Sequence, residues 1–112
     1  MTAATAVTVT RQRHQFQSVF EDIWVVRFTL DTASVGGNSS EEDTVAVPGL
    51  TRATDIVIGF THASEPPADL IMEVHVGEAD VLHVLTHNAS GSPINPGSNA
   101  FVAVIGRVRS DA

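Results

Sequence analysis

The sequence contains no cysteine, no lysine and no tyrosine, and Trp24 is its single tryptophan. Without cysteine there are no disulfide staples, no thiolate metal ligands and no cysteine nucleophile. Without lysine, every formally positive side chain is an arginine, and the formal net charge is −7. An acidic chain repels a phosphate backbone, so nucleic acid is not an expected partner. The same charge suits a solvated, outward-facing surface. Aromatic residues make up only 5% of the chain, too few to build a sugar-stacking platform, and Trp24 itself reads as core. No apolar run approaches the roughly 20 residues that span a bilayer. Residues 1–10 lack the basic start and greasy stretch of a secretion signal. Neither membrane insertion nor secretory sorting is therefore expected.

What remains is ample for one fold. The chain has 112 residues, 43% of them hydrophobic, enough for a single domain with its own core. Apolar residues recur at period two, not at the helical period. Over residues 22–30, Trp24, Val26, Phe28 and Leu30 fall on one face, with Ile23, Val25, Arg27 and Thr29 on the other. Residues 44–47 form a short strand stopped by Pro48-Gly49, and residues 50–54 a connector or a single helical turn. Residues 55–61 are a strand with Ile56, Ile58 and Phe60 on one face. Residues 70–76 alternate cleanly, with Leu70, Met72, Val74 and Val76 inward and Ile71, Glu73 and His75 outward. A tight connection at residues 77–80 and a returning strand at 81–88 complete a hairpin. Residues 101–108 are apolar on both faces, which suits a buried sheet position or a subunit interface.

Between these strands, residues 31–43 are predicted to be a loop, with Gly36, Gly37 and Asn38 supplying positive φ and Glu41-Glu42-Asp43 a solvated tip. Residues 89–100, rich in Gly, Ser, Pro and Asn, read as a second loop. Residues 1–20 are an N-terminal arm or edge strand, and residues 21–112 one β-domain. The expected fold is all-β: an antiparallel β-sandwich, jelly-roll-like or a small β-barrel, with an extended N-terminal arm.

Chemistry-bearing residues are sparse and poorly spaced. A bulge at the hairpin turn would bring His75, His83 and His87 onto one face with Glu73. Joint chelation is not expected, because four strand residues separate His83 from His87 by about 13 Å, and the chain has no His-x-His pair. Surface or interface histidine is the simpler assignment, with no metal and no cofactor. A contact built on such histidines would respond to acid, since imidazole titrates near pH 6.5. Contiguous Glu41-Glu42-Asp43 lacks the alternating carboxylates of a calcium loop. Ser64 lies in no Gly-x-Ser-x-Gly turn. Gly36-Gly37 and Gly91 have neither the lysine nor the helix of a phosphate loop. Asp69, Glu73 and Glu78 offer only the carboxylate pairs any acidic β-domain would. Binding, not catalysis, is the expected activity.

From Val45 onward the chain resembles a family of small structural proteins of tailed bacteriophages. The resemblance is carried by Val45-Ala46-Val47-Pro48-Gly49-Leu50, Asp55-Ile56-Val57-Ile58, Val74-His75-Val76 and the turn Gly77-Glu78-Ala79-Asp80. It continues through Val81 to Asn88, Ser92-Pro93-Ile94-Asn95-Pro96-Gly97 and the closing strand Phe101 to Arg107. The chain departs from the family at Thr54, where a glycine is usual. The resemblance implies a capsid decoration (cement) protein on the outer surface of the virion, a homotrimer bound to the major capsid protein and bracing capsomer junctions. For such a protein, the N-terminal residues Arg11, Arg13, His14, Gln15 and Phe16, which lie before the resembling stretch, are the expected capsid-binding arm. The trimer interface would use Ile71, Glu73, His75, His83, Leu85 and His87. Related sandwiches serve as head-fibre or tail receptor-binding modules, so a glycan-binding role is the alternative. A metal-dependent jelly-roll enzyme is a third.

Overall fold

In the computed structural model, which describes residues 2–12, 20–63 and 67–109, the alternating segments become strands. They are β1 (Thr5–Gln12), β2 (Phe20–Thr32), β3 (Ser40–Ala46), β4 (Asp55–His62), β5 (Leu70–Glu78), β6 (Val81–Asn88) and β7 (Gly97–Val108). No helix occurs among the described residues. The strands form two antiparallel sheets, a larger one ordered β1-β2-β7-β4 and a smaller one ordered β3-β6-β5. The pairing is nested, β2 with β7 and β3 with β6, around the β5–β6 hairpin. This is the way a jelly roll folds back on itself.

The stripe Trp24, Val26, Phe28 and Leu30 faces inward, with Phe101, Ala103 and Ile105 of β7 beside it. Val45, Val76, Leu82 and Val84 meet them from the smaller sheet. Each large buried side chain contributes about 1.5–3 kcal/mol by leaving water. Trp24 is 1% exposed, a core residue and not a platform. The closing strand β7 lies between β2 and β4, with Phe101, Ala103 and Ile105 buried on its inner face and Val102 and Val104 half-buried on its outer one.

Several local expectations are corrected. The acidic run is not a solvated loop tip: Glu41, Glu42 and Asp43 lie in β3. Asp43 is fully buried and accepts hydrogen bonds from the Thr32 hydroxyl (2.9 Å) and the Thr2 amide (3.0 Å). Strand alternation sends Asp43 inward with Val45, and those bonds stabilise a carboxylate that burial alone would penalise. In β4 the register skips Ile58 between Val57↔Ile105 and Gly59↔Val104. This bulge turns Val57 and Phe60 inward and leaves Ile56 and Ile58 outward, 47% and 45% exposed. The expected Ile56-Ile58-Phe60 face therefore does not exist, because one extra residue flips the alternation.

The loops differ too. Asn38, not Gly36 or Gly37, takes the positive φ of 54°. Gly37 is needed for close approach, since a Cβ there would lie 2.5 Å from the Gly91 carbonyl oxygen. Gly97–Ala100 belong to β7 and not to the preceding loop. Asn88, fully buried, pins that end of the sandwich. Its amide donates to the Val35 and Ser92 carbonyls (3.0 and 2.7 Å), and its oxygen accepts from the amide and hydroxyl of Ser90 (2.9 and 2.8 Å). At the N-terminus, β1 pairs with β2 as an edge strand, and Ala3 bridges to Thr44 of β3. The first residues thus join the edges of both sheets.

Candidate functional site

The smaller sheet positions the residues expected to touch a partner. The β5–β6 register sets Ile71 opposite His87, Glu73 opposite Leu85 and His75 opposite His83. A bulge at Gly77, between Val76 and Glu78, is what aligns these side chains on one outward face. Glu42 of β3 stands opposite Leu85 and Ser40 opposite His87, so β3 extends the face. All six residues expected at the interface are therefore neighbours.

The face is a row of imidazoles held by carboxylates. The His83 Nδ1 bonds Glu42, and its Nε2 lies 3.4 Å from Glu78. His75 Nδ1 contacts Glu73 at 3.0 Å, and the His75 and His83 ring centroids are 5.6 Å apart. His87 shares a 2.9 Å bond with the Ser40 hydroxyl. Ile71 stands free of this network at 61% exposure. His83 lies flat over Gly77, where a Cβ would come within 2.3 Å of the ring. The Gly77→Ala substitution should therefore push His83 away from Glu42 and Glu78, at a cost of about 1 kcal/mol. The measurement is the imidazole resonances of His83 by NMR, and unchanged shifts would show that the ring was not seated there.

Among the described residues no group of three or more His, Asp or Glu side chains is placed to hold a metal ion. An open cleft of about 410 Å³ lies between β4 and β5, lined by Arg52, Asp55, Ile56 and Val57 on one side and Val74, His75 and Val76 on the other. Asp55 in its wall is already engaged by Arg107. Of the expected arm, Arg11 is placed in β1 with its backbone opposite Trp24. Arg13, His14, Gln15 and Phe16 lie outside the described residues.

A second surface was not among the expected site residues. On the outer face of the larger sheet, Val25 pairs with Val104, and Arg27 with Val102. Ile56 and Ile58 of β4 continue this face. Its signal in the sequence was the apolar character of both sides of β7; the β4 bulge that adds two isoleucines to it leaves no such signal. No protein-family model, curated protein or solved structure matches this chain, so fold and surface chemistry carry the functional argument.

Proposed function

We propose that this chain is a virion structural protein of a tailed bacteriophage, a decoration (cement) protein that binds the outer capsid surface and braces capsomer junctions as a homo-oligomer. It acts by burying surface and carries out no reaction. The observation that supports this most is the flat outer face of the smaller sheet, where Ile71, 61% exposed, projects beside a tethered row of histidines and glutamates. A rigid sheet face with an apolar anchor inside a polar frame is the anatomy of a protein contact. The arm residues Arg13, His14, Gln15 and Phe16 follow β1 and act as a clamp onto the neighbouring capsid subunit. Repetition over a shell multiplies a modest single contact by avidity.

Co-sedimentation with shells that lack this protein tests the proposal. The wild-type chain should pellet with the shells. Ile71→Glu should reduce apparent affinity about tenfold or more, the effect of losing roughly 1.4 kcal/mol per site. Wild-type protein that stays in the supernatant would refute the proposal, and an unaffected Ile71→Glu variant would remove this face from it.

A further inference from the structure

We infer that a second copy of this chain packs against the outer face of the larger sheet, in a twofold contact centred on Val25, Val102, Val104, Ile56 and Ile58. The contact goes beyond the capsid proposal and does not depend on it.

The first argument is charge. The chain carries 13 acidic residues against 6 arginines, yet the central rows of this face hold no carboxylate. They run Val25–Val104–Gly59 and Arg27–Val102–Thr61 across β2, β7 and β4; in the next row, Ile23–Gly106–Ile56, Ile23 is buried and the Phe20 ring lies over Gly106, while Ile56 stays exposed. On β1, Thr8 and Thr10 stand beside Arg27 and Val25. The carboxylates of the same sheet are elsewhere: Asp22 and Asp55 are buried, while Glu21 and Asp31 lie towards the two ends of β2. Two copies of a strongly acidic chain repel each other over most approaches. Here they meet without opposing carboxylates. A basic partner would find no carboxylate in these central rows to pair with.

The second argument is size. Four strands at about 4.8 Å spacing, each contributing about seven residues at ~3.3 Å, give a footprint of roughly 450 Å² per copy. A pair of such faces comes to about 900 Å², close to the roughly 1,000 Å² at which specific contacts begin.

The third is shape. Ile58 protrudes at the bulge, and its neighbour Gly59 leaves a gap, with no atom within 4 Å of where a Cβ would stand. A twofold axis brings the same patch of each copy together, so the isoleucine of one has the glycine gap of the other within reach. Sheets pack face to face in this manner at about 10 Å separation.

Sedimentation equilibrium of the full chain tests the inference. The wild-type protein should contain an even number of copies. Ile56→Glu/Ile58→Glu should halve that mass, with an unchanged far-UV circular dichroism spectrum, because carboxylates in a dry contact weaken it at least about a hundredfold. Should that variant fail to fold, Arg27→Glu places a carboxylate on the same face at an exposed position and should halve the mass alike. A monomeric or trimeric wild-type protein, or folded variants that keep the wild-type mass, would overturn the inference. The outcome is separable from shell binding, which Ile71→Glu reports.

Discussion

Replacing Arg107 by alanine should destabilise the protein by about 3–5 kcal/mol, the cost of leaving a buried charge without its partner. The Asp55 side chain is completely buried, and Arg107 reaches it with two bonds, Nε to Oδ1 at 2.8 Å and Nη2 to Oδ2 at 2.9 Å. The same guanidinium donates to the Gly49 carbonyl at 2.7 Å and lies 5.0 Å over the Trp24 ring. It therefore ties β7, β4 and the Pro48-Gly49 turn to the core. The Asp55 hydrogen bond holds the guanidinium charged above its ordinary value, burial opposes this, and the charges of Asp55, Asp22 and Glu21 add to it. A raised arginine contributes its stability at every pH below its unfolded value and loses it only as pH rises through the folded one. The arginine side of the pair is thus constant through the neutral range. Urea unfolding measures the effect. Arg107→Lys should be intermediate, since an ammonium keeps the charge but not the two-pronged geometry. The double variant with Asp55→Ala should cost less than the sum of the single ones. A loss below about 1 kcal/mol at Arg107→Ala would mean that water reaches Asp55 and that the pair behaves as a surface contact.

Phe101→Ala should cost a similar 3–5 kcal/mol, for a different reason. Phe101 is 3% exposed. Its ring stacks on Phe28 at 5.4 Å and on Phe60 at 5.5 Å, and meets the edge of His62 at 4.5 Å. It thus joins β2, β7 and β4 toward the end of β7 away from Arg107. Truncation leaves a cavity whose walls are themselves rings, too stiff to collapse into it. It also releases His62, whose Nδ1 is buried without a hydrogen-bond partner among the described residues. The melting temperature should fall by roughly 15 °C or more. A drop of only a few degrees would mean that Phe28 and Phe60 close the gap between them.

The smaller sheet was the most legible part of the molecule. Residues 70–76 and 81–88 alternate, their turn is short, and their inward and outward sets lie where period two puts them. The six interface candidates could be grouped on one face for that reason, once a bulge at Gly77 was allowed. Residues 40–43 and 55–62 were less legible. Asp43 has the composition of a loop tip, and only its bonds to Thr32 and Thr2, both distant in sequence, make a buried carboxylate tolerable. The Asp55–Arg107 pair joins residues 52 positions apart, a separation at which no local pattern operates.

By itself the sequence determined the class of structure: period-two apolar stripes, punctuated by Gly, Pro and Asn, can bury themselves only as sheets packed on one another. It also determined that Trp24 is core and that the last strand is apolar on both faces, which left a buried sheet position or a subunit interface open. Only the tertiary structure decided which side chains face water on β4, because a single unpaired residue, Ile58, reverses the alternation, and a bulge is a property of two strands in register. That reversal adds Ile56 and Ile58 to an outer face whose central rows carry no carboxylate.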